Sequence, residues 1–162
     1  MIVERPTITD AVGSEAGEVV TLQRAAFLRD AQLYNDPFMP SLTQSADEIR
    51  AEIGDPDIVF LVARLGPRLV GSVRARKLDD RWYVWRLMSA PDLEGRGIGR
   101  LLMDELEQRA NGVVGLLELS TGSKSASNIA WYERLGYEIV EEHEESPTMR
   151  VVKMRKRLTG RA

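Results

Sequence analysis

The chain has 162 residues, 43% hydrophobic and 29% charged, with 25 acidic side chains against 22 Lys and Arg for a net charge of −3. This composition is that of an ordinary globular domain large enough to bury its own core, and it excludes a disordered chain or a bilayer-spanning segment. The absence of cysteine removes thiol nucleophiles, disulfides and thiolate metal sites, and one histidine is too few for an imidazole-built metal centre, so no metal is expected.

The acidic balance argues against nonspecific nucleic-acid binding, which needs a surplus of Lys and Arg. The N-terminus MIVERPTITD has no basic segment leading into an apolar one, so a cytoplasmic protein with no membrane partner is expected.

In chain order, Ile2 to Ile8 reads as a strand, and the turn signals at Thr9-Asp10 and Gly13-Ser14 lead into a helix over 15–33 with Val19, Leu22, Ala26 and Leu33 at helical spacing. "YNDPFMPSLTQ" has two prolines and no period and reads as a loop. A short helix over 45–53 follows, with Ser45 and Glu48 spaced as a capping box. "IVFLVARL" and "LVGSVRARKL" form a hairpin about Gly66-Pro67, and "RWYVWRLMSA" adds a third antiparallel strand after Asp79-Asp80.

A helix over 98–110, a largely apolar strand "VVGLLELST", a helix over 126–135 ending at Gly136, and two strands "YEIVEEHEE" and "MRVVKMRKRL" complete the chain. With no repeat or linker, one mixed α/β domain over 1–162 is the expectation. Trp82 and Trp85 lie on opposite faces of their strand, so at least one belongs to the core. The acidic and basic blocks of the last two strands complement one another if these strands pair, and His143 within them reads as structural.

"DLEGRGIGRLL" carries the chemistry. Gly95, Gly97 and Gly99 lie between a strand and an amphipathic helix with Ile98, Leu101, Leu102 and Leu106. A helix N-terminus presents unpaired amides and a partial positive charge, and glycine admits the positive φ and close approach that let a phosphate reach them. Without a ligand, three such glycines cost helix stability. The triphosphate loop G-x-x-x-x-G-K-[ST] and the dinucleotide fingerprint G-x-G-x-x-G both fail on spelling.

Glu94-Gly95-Arg96-Gly97-Ile98-Gly99 resembles the coenzyme A loop of the GNAT N-acetyltransferase superfamily, [Q/R]-x-x-G-x-[G/A], with Glu94 in place of the usual Gln or Arg. "LMSAP" resembles the end of that family's fourth strand, and "SNIAWYERLGYE" resembles its late motif N-x-x-A-x-x-x-Y-x-x-x-G-[FY]. The resemblance spans the chain and is most specific over 82–137. It implies the GNAT fold: about seven mostly antiparallel strands, splayed between the fourth and fifth, with about four helices. It also implies acetyl-CoA as cosubstrate, lying in the splay.

On this resemblance Leu87, Met88 and Ser89 pair with pantetheine through their backbone, and the segment Glu94, Gly95, Arg96, Gly97, Ile98, Gly99 and Arg100 holds the pyrophosphate. Asn128 contacts pantetheine, with helix capping as the other reading, and Tyr132 matches the family's general acid, with an aromatic packing role as the other reading. The fourth strand has Arg86 where many relatives carry a glutamate base. Glu118, charged within an apolar strand, is the candidate base; the alternatives are a structural ion pair, or proton loss through water.

The acceptor is expected over the first helix and the loop after it. Tyr34, Asp36 and Phe38, with Asn35 and Met39, are the pocket candidates, Asp36 as an attractor of ammonium; packing of this loop over the sheet is the other reading. The activity expected is acetyl transfer to the amine of a small molecule or protein. The rival is a non-catalytic acyl-CoA-binding module. The family's frequent dimers make a homodimer compatible with the resemblance, although no feature of the sequence sets an interface.

Overall fold

The computed structural model describes residues 4–160. Seven strands form one sheet: β1 (Thr7–Asp10), β2 (Ile58–Leu65), β3 (Arg68–Lys77), β4 (Trp82–Ser89), β5 (Leu116–Gly122), β6 (Glu138–Ser146) and β7 (Met149–Arg157). The helices are α1 (Ala16–Leu33), α2 (Pro40–Thr43), α3 (Ala46–Ile53), α4 (Ile98–Ala110) and α5 (Ala126–Arg134). Strand order is β1-β2-β3-β4-β5-β7-β6, with every neighbouring pair antiparallel except β4 and β5.

The expected seven-stranded mixed α/β architecture is present, with several changed boundaries. The first strand is Thr7–Asp10, using residues expected to turn; Ile2 and Val3 lie outside the described residues. Its pairing with Leu61–Arg64 fixes that register. The proline-rich loop contains the single turn α2, with Pro40 at a helix start where its missing N–H costs nothing. β5 begins at Leu116, because Val113 and Gly115 lie exposed in the turn after α4. Leu33 is exposed, and the buried stripe of α1 runs through Val19, Leu22 and Gln23 to Ala31.

Helices cover both faces of the sheet. A Cβ at Gly71 of β3 would lie 2.6 Å from Ile98 and 3.0 Å from Leu102, so its absence seats the start of α4 directly on the strand. On the alternate face Arg74, 0% exposed, reaches Gln23 of α1 (2.7 Å) and Glu52 of α3 (3.2 Å) and lies over the Phe60 ring at 4.4 Å. Burial pushes its guanidinium down to about 10, and the Glu52 carboxylate opposes that shift. The pairing satisfies a charge that would be costly alone. Trp82 is buried and Trp85 half-buried, in accord with their opposite faces.

The terminal hairpin partly follows the expected charge pairing. Glu141 meets Lys153 at 3.1 Å and Glu142 meets Arg150 at 3.2 Å, whereas Arg155 and Lys156 turn to Glu118 and Glu107. His143 sits in this hairpin beside Glu141 at 3.4 Å.

Candidate active site

The sheet opens where β4 and β5 stop pairing. Their register covers only Trp82–Val84 against Leu117–Leu119, although β4 continues to Ser89 and β5 to Gly122. Beyond Val84 the second edge of β4 has no strand beside it among the described residues, so Leu87, Met88 and Ser89 present backbone groups to a cleft of about 1120 Å3. A bulge sharpens the opening: Ser72 pairs with Met88 and Arg74 with Trp85, leaving an extra residue on β4, and Arg86 takes a φ of 55°.

At the mouth of the opening stands the start of α4. Gly97 is its N-cap in the left-handed region (φ 81°, ψ 9°), and no side chain caps it. Gly95 also has positive φ, at 78°, and open space surrounds both glycines. The first-turn amides of Ile98, Gly99 and Arg100 therefore face outward without an intrahelical acceptor, a cradle that fits a phosphate. Glu94 lines the cleft and pairs with Arg29 at 3.3 Å, so its side chain bridges to α1. Arg96 and Arg100 are exposed, and Arg100 pairs with Asp104.

The opposite wall comes from the start of α5. Ser125 is the N-cap and Asn128, two residues inside the helix, is exposed and lines the cleft, so the capping reading of Asn128 does not hold. Tyr132 follows one turn later, half-buried and also lining the cleft, with its ring edge-on to Trp131 and Tyr137. Burial lifts its phenol above the usual range, and the charge of Asp30 adds to the shift.

Glu118 is the main correction to the sequence reading. It is 2% exposed, lies outside the cleft lining, and is held between Arg155 (2.7 Å) and Arg81 (3.3 Å). Its position level with Tyr83 puts it where β4 and β5 still pair, and its charge joins β5 to its neighbours. This is the structural ion pair, made with cations other than Arg86.

The acceptor candidates divide. Asp36 lines the cleft, but its carboxylate accepts from the Phe38 amide (3.0 Å) and the Thr148 hydroxyl (3.1 Å), tying the loop to the β6–β7 turn. Phe38 is 80% exposed and outside the lining. Tyr34, 3% exposed, packs behind the cleft, its hydroxyl meeting Ser125 Oγ at 3.2 Å and accepting from the Lys124 amide at 3.1 Å. Met39 is buried and reaches the cleft edge, while Asn35 is exposed outside the lining.

Sequence reasoning missed Asp30. It lines the cleft from α1, half-buried, with no hydrogen-bond or ion-pair partner among the described residues, and burial raises its carboxyl pKa above the ordinary 3.8 against the opposing charge of Arg29. The signal was available: Asp30 lies three and four residues beyond Phe27 and Ala26, a lone charge continuing the inward stripe.

The sheet thus parts at its parallel pair, with bare helix amides at the mouth of the parting. Residues 27–137 match the Acetyltransferase (GNAT) family. Acetyltransferase SG1711 of Sodalis glossinidius is 35% identical over 125 residues, covering 75% of this chain and 80% of the relative. Acetyltransferase ECA0875 of Pectobacterium atrosepticum is 35% identical over 126 residues, covering 76% and 81%. The crystal structure of PaiA N-acetyltransferase from Thermoplasma acidophilum, in complex with coenzyme A, superimposes with a TM-score of 0.79 at 16% identity, covering 94% of this chain and 99% of that one. The chain belongs to the GNAT acetyltransferase family.

Proposed function

We propose that the protein is an N-acetyltransferase that moves an acetyl group from its cosubstrate, acetyl-CoA, directly to a primary amine in the cleft. The observation that carries this reading is the meeting of Tyr132 and Asp30 in one cleft at the parting of β4 and β5. When bound, acetyl-CoA supplies an activated thioester. The amides from Gly95 to Arg100 hold its pyrophosphate, and the free edge of Leu87, Met88 and Ser89, with Asn128 opposite, holds the pantetheine.

Asp30 attracts the acceptor's ammonium, as the sequence suggests of Asp36, and takes its proton through water, as the sequence suggests of Glu118. As the amine nitrogen bonds to the acetyl carbon and the carbon–sulfur bond breaks, Tyr132 donates its O–H to the departing sulfur. Its raised pKa keeps it protonated across the neutral range. Because a thiol titrates near 8.5, below the phenol, transfer succeeds only at hydrogen-bond distance from the sulfur.

The test is thiol release from acetyl-CoA against an amine panel, with Tyr132→Phe alongside. The variant is expected to bind CoA as wild type does and to lose about 100-fold or more in kcat, the usual contribution of a positioned acid. Undiminished turnover in the variant removes Tyr132 from this role. CoA binding with no thiol release on any amine would identify an acyl-CoA-binding module instead.

A further inference from the structure

Arg86 is a cation that the fold goes out of its way to keep. It stands on the β4 bulge with a positive φ of 55°, a conformation unfavourable for any residue with a Cβ, and the residue lines the cleft and a smaller pocket beside Gln44 and Glu48. Its Nε is sealed from solvent without a hydrogen-bond partner, and no ion pair within 4 Å engages the guanidinium among the described residues. Burial depresses its pKa, with Glu52 and Glu145 opposing. Glu52, however, is committed to Arg74 at 3.2 Å, and Glu145 lies exposed on β6 without reaching Arg86.

The guanidinium is held in place from one side. Its Cζ lies 5.9 Å from the centroid of the Phe27 ring, and Phe27 is one helical turn before Asp30 on α1. The cleft thus contains an unpaired cation and an unpaired carboxylate on neighbouring surfaces that do not neutralise each other. A guest carrying both charges satisfies both at once, whereas a simple alkylamine leaves the guanidinium without a directly bonded carboxylate.

We propose that Arg86 binds a carboxylate on the acceptor, so that the substrates of this enzyme are amines that also carry a carboxylate, of the amino-acid or short-peptide class. The ammonium of such a molecule lies toward Asp30 and its carboxylate toward the fork of Arg86. This inference rests on the acetyltransferase reading for the amine and on Arg86 for the carboxylate.

The experiment uses matched acceptors, an amino acid with its amide and a dipeptide with its C-terminal amide. Each is measured for thiol release and, separately, for binding to the protein–CoA complex by titration. Wild type is expected to favour the acid over its amide by about 10- to 100-fold in kcat/KM and in Kd, the size of a charge-assisted hydrogen bond. Arg86→Gln is expected to abolish this difference while leaving the KM for acetyl-CoA unchanged. Should that variant fail to fold, Arg86→Lys, which keeps the charge without the bidentate fork, is expected to narrow the preference.

Equal handling of acid and amide by wild type overturns the proposal, as does a preference that survives both substitutions. A selective rise in the KM for acetyl-CoA also overturns it, by assigning the guanidinium to a cosubstrate phosphate. Turnover of amines indifferent to the carboxylate refutes this inference and leaves the acetyltransferase reading standing. An Arg86-dependent preference in binding with no turnover does the reverse.

Discussion

Substituting alanine at Gly97 separates the strain of a left-handed backbone from the loss of a ligand. Gly97 has φ +81° with nothing within 4 Å of an added Cβ, and Gly112, after the far end of α4, has φ +83° with equally open surroundings. Each Gly→Ala change therefore costs the same left-handed penalty, about 1–2 kcal/mol, without a clash. For a chain of this size that lowers Tm by roughly 2–8 °C in either variant. Only at Gly97 would the methyl also stand in the approach of the proposed phosphate to the first amides of α4. Loss of one charge-assisted hydrogen bond there is about 1.5–3 kcal/mol, or about 10- to 100-fold in Kd. Isothermal titration with CoA, beside thermal melts of the two variants, makes the comparison. Gly97→Ala binding CoA like wild type, or Gly112→Ala losing affinity equally, would refute the phosphate cradle.

Three further substitutions test the region proposed for the acceptor. A Cβ at Gly122 would land on the Tyr34 hydroxyl and Cζ, so Gly122→Ala should cost about 1–3 kcal/mol through overpacking. Combining it with Tyr34→Ala should cost less than the sum of the two, and strict additivity of their melting data would contradict the packing. Asp30→Asn should abolish base assistance while stabilising the fold at neutral pH. The folded carboxyl titrates above its ordinary 3.8, so the native state carries the cost of an ionised group above that range and loses it on protonation. The gain in Tm should vanish as pH falls toward 3.8; a gain independent of pH, or none at neutrality, would count against the buried carboxylate.

The proposed phosphate cradle is made of main chain, so its glycines stand out in the sequence. A phosphate cradle needs amides that a ligand can approach closely, glycine permits that approach, and glycine is visible at positions 95, 97 and 99. The strands from Ile58 onward were legible in outline through turn residues and apolar runs, and α3 through its capping box, with Ser45 accepting from the Glu48 amide at 3.1 Å. The acceptor end was not legible. The role of Glu118 depended on Arg81 and Arg155, 37 residues away on either side, meeting across three strands. No local pattern records that meeting. Asp30 and Arg86 likewise acquire meaning only when α1 is laid against the β4 bulge, and Tyr34 looked like a pocket residue until Gly122 offered its hydroxyl a place behind the wall.

That division has a physical consequence for specificity. The amides proposed to hold a phosphate belong to the backbone of α4, which Gly71 seats on β3. The proposed acceptor surface is assembled from Asp30 of α1 and Arg86 of β4, charges of opposite sign with no ion-pair partner among the described residues. If the proposed roles hold, exchanging Arg86 alone is expected to alter acceptor preference and to leave the KM for acetyl-CoA unchanged. It would also remove a half-buried unpaired cation, whose retention is hard to account for on stability alone because desolvation without a counter-ion opposes folding. A variant at this position that gains thermal stability and loses discrimination between acid and amide would tie the two properties to one guanidinium.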